Sequence, residues 1–159
     1  MKSPQVFFMF STKDLVFLLP ITICAFIIFF AINYFLKFGV IGLNRKNLSK
    51  LHIIILYAGL LIAVPEEIIF RGFVQTYFYS ILDAPNSIIL SSLFFGLAHV
   101  LNGAKGFRLT EWNWKLVTMT FMAGMFLGFS FYVTGSLVVP VVLHTLFIIV
   151  MKVFIKDTV

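Results

Sequence analysis

Glu66, Glu67 and Arg71 stand in an otherwise apolar run, from Leu51-His52-Ile53-Ile54-Ile55-Leu56-Tyr57 through Ile68-Ile69-Phe70-Arg71-Gly72-Phe73-Val74. A charge at the centre of a membrane-spanning helix costs about 2.5–3.5 kcal/mol on insertion scales. Three at this depth require partners, an aqueous cavity or a function. Glu67 and Arg71 are spaced i,i+4 with the glutamate on the favoured N-terminal side, so they are expected to pair. Glu66 points about 100° away and is the carboxylate left free for general-base chemistry.

Two imidazoles accompany these charges. His99 ends the run Phe94-Phe95-Gly96-Leu97-Ala98-His99, and His144 ends Pro140-Val141-Val142-Leu143-His144. Both are expected in the middle portion of their helices, at the depth of Glu66. Phe95, one turn before His99, would wall the imidazole from water. A carboxylate and a histidine converging on a water can deprotonate it for attack on a carbonyl, and a second histidine or an amide can stabilise the oxyanion. Blander readings compete. A histidine in a membrane helix can be a simple interhelical hydrogen bond, and a Glu–Arg pair can be purely structural. Asn33 fits a helix-contact residue, and His52 fits the interface at a span end. Glu66, His99 and His144 are also ligand types that suit zinc, although no His-Glu-x-x-His helix is present.

The elements that must position these groups are helical spans. The chain has 159 residues, 61% of them hydrophobic and 11% charged, with a mean hydropathy of +1.07. A soluble domain carries about 25% charged residues. The fold class is therefore expected to be all-α, a polytopic transmembrane bundle of about five spans forming one membrane domain over residues 1–159. At about 20 apolar residues per crossing, the spans are Asp14–Leu36, Leu51–Phe78, Ser87–Leu101, Trp114–Val133 and Leu137–Ile155. Pro65 predicts a kink in the second. The first reads as a span and not as a cleaved signal peptide, because its apolar run is long and no small-x-small site follows Phe35. Cys24, the single cysteine, excludes an intramolecular disulfide.

The net charge of +6 follows topology, so nucleic acid is not an expected partner. Lys37, Arg45, Lys46 and Lys50 follow span one, Lys105, Arg108 and Lys115 follow span three, and Lys152 and Lys156 lie at the C-terminal end. The loops around Asp83-Ala84-Pro85-Asn86 and Thr134-Gly135-Ser136 carry none. Excess basic residues mark the cytoplasmic side, which places the N-terminus outside and the C-terminus in the cytoplasm. Only Lys2 and Lys13 oppose this. Trp112 and Trp114 suit an interfacial belt. Ala123-Gly124 and Gly128 would let helices approach closely.

The pattern Glu66-Glu67-x-x-x-Arg71, then Phe95-x-x-x-His99, then Gly135-Ser136-Leu137-Val138-Val139-Pro140-x-x-x-His144 resembles the CPBP family. These are the CAAX prenyl endopeptidase and bacteriocin-processing (Abi) intramembrane proteases. The resemblance covers a core at 51–155 and leaves 14–36 as an accessory span. It implies a glutamic-type endopeptidase of the cell membrane, without a required metal or other cofactor, acting on a membrane-anchored protein or peptide in the lipid bilayer. By the same resemblance Glu66 and His99 would activate water, His144 would contribute to the oxyanion pocket, and Glu67 and Arg71 would hold the site. The chain departs from the family at Ile148, where the last motif usually has an asparagine or aspartate one turn after the histidine. Asn102 and Thr145 are the nearby polar candidates to compensate. The small size is similar to the compact prokaryotic branch, including myxosortase-type enzymes and the JDVT-type sorting system. A non-catalytic immunity or adaptor protein on the same fold is the alternative.

Overall fold

The computed structural model describes residues 12–36, 40–102, 105–106 and 108–156. Lys2 and Lys37, and the side chains of Lys13, Asn33 and Lys156, lie outside the described residues. Among the described residues there are six helices of four or more residues: α1 (Thr12–Leu36), α2 (Arg45–Leu48), α3 (Leu51–Ile81), α4 (Ala84–Ala98), α5 (Trp114–Thr134) and α6 (Val138–Phe154). Two-residue strands β1 (Val40–Ile41) and β2 (Ile155–Lys156) pair antiparallel. The all-helical expectation holds apart from this short pairing.

Among the described residues, two helices, α3 and α5, are long and apolar enough to cross a membrane by length and composition. The shorter apolar helices include α4, with 15 residues, and α6, with 17. Asp83 explains where α4 begins. Its side chain accepts from the Asn86 N–H at 2.9 Å, and Pro85 occupies the first turn, where a missing N–H is harmless. The helix therefore starts earlier than expected and ends at Ala98. His99 caps its C-terminal end, with its N–H donating to the Gly96 carbonyl at 3.0 Å. This corrects the mid-helix placement expected for that histidine.

Helix α3 runs continuously through Pro65, but its winding changes. Val64–Glu67 is α-helical, whereas Tyr57–Ala63 and Ile68–Gln75 on either side are wound as wider π turns. Proline cannot donate to the preceding turn, and local π winding is one way a membrane helix accommodates the lost bond. Both glutamates sit on this short α-helical segment.

Helices α4 and α5 approach backbone to backbone. A Cβ on Gly96 would lie 2.9 Å from the Val117 carbonyl, and one on Gly124 would lie 3.1 Å from Ser92 Cβ. Small residues permit such contacts between membrane helices. Helix α1 packs on α5 and α6 through Ala25 and Phe29, which meet Met119, Phe147 and Ile155. A backbone stitch then closes the bundle at one end. Gly42 and Asn44 donate to the carbonyls of Phe154 and Val153 at 2.9 and 2.8 Å, and Asn47 Nδ2 donates to the Lys152 carbonyl at 2.7 Å.

Candidate active site

The two glutamates have different surroundings, as their angular separation predicts. Glu67 is fully buried, and its Oε2 lies 3.0 Å from Arg71 Nε. Arg71 is equally enclosed. Its Nη2 donates to the Gly124 carbonyl at 3.2 Å, and its guanidinium lies 4.6 Å from the centre of the Phe95 ring. The arginine is thus held by a carboxylate, a carbonyl and an aromatic face, the combination a buried cation needs. One turn on, Gln75 repeats the contact, with Nε2 donating to the Gly128 carbonyl at 2.9 Å. Arg71 and Gln75 therefore dock α3 on the glycines of α5.

Glu66 faces a cavity of about 780 Å³ lined in part by Phe95, His99, Asn102, His144 and Ile148. Its Oε2 lies 3.7 Å from His99 Nε2 and 3.8 Å from His144 Nε2. That oxygen has no hydrogen-bond partner within the protein. Three helices thus bring one carboxylate oxygen and two imidazole nitrogens to a single point on the cavity wall.

Hydrogen-bond chemistry determines which imidazole nitrogens face this point. His99 Nδ1 lies 2.8 Å from the Phe95 carbonyl, which can only accept, so Nδ1 carries the proton. In the neutral ring, Nε2 then presents a lone pair toward Glu66. His144 Nδ1 lies 2.8 Å from Glu67 Oε1 and donates to it when that carboxylate is ionised against Arg71. With Nδ1 turned to Glu67, the other ring nitrogen of His144, Nε2, faces the cavity and Glu66. Phe95 packs on both rings, with centroids 4.8 Å from His99 and 5.6 Å from His144.

The remaining expected residues are less central. Asn102 lines the cavity but is exposed, and its carbonyl accepts from Asn113 Nδ2 at 3.1 Å. Thr145 donates to the Val141 carbonyl of its own helix at 2.7 Å and lies beside Gly59. Ile148 faces the cavity with His144, one turn along α6. Among the described residues, no three His, Cys, Asp or Glu side chains are grouped so as to hold a metal ion.

Sequence reasoning missed Gln75, and it missed that Phe29, Asn44, Asn47, Thr120 and Lys152 also line the cavity. A glutamine one turn beyond Arg71, with Gly128 one turn beyond Gly124, was the available signal for Gln75. The others reach the site only through the long-range stitch and the packing of α1 and α5.

A protein of Bacillus subtilis (strain 168) named "Uncharacterized protein YpbD" is 35% identical over 104 residues, covering 65% of this chain and 47% of that protein. The chain therefore spans about half the length of this curated relative. No solved structure matches. The type II CAAX prenyl endopeptidase Rce1-like family matches residues 48–150, a stretch containing Glu66, His99 and His144, and the chain belongs to that family.

Proposed function

We propose that this protein is a membrane-embedded endopeptidase in which Glu66 and His99 activate water and His144 stabilises the oxyanion. The observation that carries the reading is Glu66 Oε2 at 3.7 and 3.8 Å from two imidazole Nε2 atoms on one cavity wall. A water above that gap can donate one hydrogen to the glutamate and the other to the His99 lone pair. Glu66 takes a proton as the water oxygen attacks the peptide carbonyl. The carbonyl electrons move onto oxygen, which accepts from Nε2 of His144 in the ring's doubly protonated form. Collapse of this intermediate breaks the C–N bond, and Glu66 returns the proton to the leaving amine. Glu67, itself held by Arg71, fixes the orientation of the His144 ring through Nδ1, so both are positioning residues.

The substrate in this reading is a membrane-anchored protein or peptide, such as a C-terminal sorting or prenylated tail. The protein is read as a multi-pass component of the cell membrane with its N-terminus outside and C-terminus in the cytoplasm. The apolar helices and the basic residues at the stitched end of the bundle support this placement. The decisive experiment compares cleavage of tail-anchored substrates by wild type, Glu66→Gln and His99→Ala at matched expression. Product from wild type alone supports the protease reading, and turnover by Glu66→Gln removes Glu66 from the mechanism. Inactivation by a chelator with rescue by zinc would replace the glutamic mechanism with a metal-dependent one.

One observation favours a second reading, a non-catalytic adaptor or immunity protein. Ile148 puts an apolar side chain on the cavity wall one turn from His144, and Thr145 is turned onto its own helix. A cellular phenotype that survives both substitutions would establish that reading.

A further inference from the structure

The cavity changes character along its length. Near Glu66 the wall between the polar groups is largely apolar, with Ile62, Phe95, Leu127 and Ile148 among its side chains. At the stitched end, Asn44, Asn47 and Lys152 line the same space. Lys152 carries the lining's one amine, and among the described residues its ammonium makes no ion pair. Arg45, Lys46 and Lys50 lie on the adjoining segment and no acidic side chain lines the cavity there, so the local field favours an anion. Asn44, Asn47 and Lys152 all fall outside residues 48–150 that match the family.

Helix geometry fixes the distance between the two ends. Lys152 is eight residues after His144 on α6, about 12 Å along the axis at 1.5 Å per residue. His144, Ile148 and Lys152 line one face of that helix. An extended peptide advances about 3.3 Å per residue, so 12 Å corresponds to roughly three or four residues.

We infer that Lys152 is a specificity residue which binds a carboxylate of the substrate roughly three or four residues from the scissile bond. The apolar wall receives the intervening side chains. This inference rests on the endopeptidase reading of the same cavity. A chain-terminal carboxylate and an acidic side chain offer the same chemistry, and the test separates them.

The probe is a set of fluorescent apolar decapeptides carrying one glutamate walked through successive positions, each made with a free and an amidated C-terminus. Binding is measured to full-length Glu66→Gln protein in nanodiscs, and cleavage is measured with wild type. A carboxylate at the matching distance is expected to tighten binding about tenfold, the scale of one charge-assisted hydrogen bond. Adding Lys152→Met should abolish that discrimination, and Lys152→Glu should transfer it to peptides with a walked lysine. If amidation alone removes the gain, the group read is the chain terminus; if only the glutamate position matters, it is a side chain. Binding indifferent to the carboxylate, or discrimination that survives Lys152→Met, overturns the inference. The same result follows if anionic nanodisc lipid, not the peptide carboxylate, accounts for the Lys152 effect. Carboxylate-dependent binding without cleavage by wild type would keep the specificity assignment and overturn the endopeptidase reading.

Discussion

His144 donates through Nδ1 to Glu67 at 2.8 Å, so the carboxylate that holds Arg71 also decides which imidazole nitrogen faces the cavity. Fold and chemistry share this group. The glutamate that acts on water in the proposed mechanism is its neighbour, Glu66, whose Oε2 has no hydrogen-bond partner within the protein.

That division predicts opposite outcomes for adjacent residues. Glu67→Ala leaves a buried guanidinium without its carboxylate and should cost about 3–5 kcal/mol. Glu66→Gln keeps the side-chain shape at a partly exposed cavity wall and should change stability by less than about 1 kcal/mol. Thermal unfolding of both variants in the same detergent checks the contrast, and a Glu66→Gln protein as unstable as Glu67→Ala would contradict it.

Ile148 offers a gain-of-function test. Ile148→Asn places an amide one turn from His144 on the cavity side. Removing a single oxyanion donor typically costs 10²–10³ in kcat, so adding one here should raise kcat by about tenfold or more with little change in KM. An unchanged kcat would mean that the oxyanion does not sit beside this face of α6.

Phe95 is the aromatic support for both imidazoles and the face beneath Arg71. Phe95→Leu keeps much of the apolar volume but removes the ring contacts. We expect a loss of about 1–2 kcal/mol in stability from the cation–π and packing terms, together with a lower kcat. Unfolding and single-turnover cleavage measured on one preparation would separate these effects.

The glycines should respond in a graded way. Gly96→Ala meets the Val117 carbonyl at 2.9 Å, a rigid neighbour, and should destabilise by about 1–3 kcal/mol. Gly59→Ala meets Thr145 at 3.6 Å, ordinary contact, and should be tolerated. Gly135→Ala has open space but a φ of 66°, so its cost, about 1 kcal/mol, is conformational. Denaturant midpoints for the three variants test the order.

Much of this was legible in the sequence because charge in an apolar run is conspicuous. Glu66, Glu67 and Arg71 declared themselves that way, and helical angles alone separated the free glutamate from the paired one. The apolar runs also located the helices to within a few residues. The end of α4 was harder, because the Asp83 cap and Pro85 shift that helix toward the N-terminus and leave His99 at its last turn. The π winding around Pro65 has no apolar period of its own to announce it. Lys152 and Asn47 read as ordinary loop and helix-end residues until residues 42–47 are seen bonded to the end of α6.

The glycine contacts along α4 and α5 also constrain how a membrane-anchored substrate of the proposed reaction would reach Glu66. A sideways gate needs two neighbouring helices that can part and reclose. At the α4–α5 seam the backbones already touch, and Arg71 and Gln75 separately hold α3 on the glycine carbonyls of α5. Between α3 and α6 the clearance at Gly59 and Thr145 is that of ordinary side-chain packing. One flank of the chamber is therefore a fixed wall, and a substrate entering from the membrane would have to pass on another side.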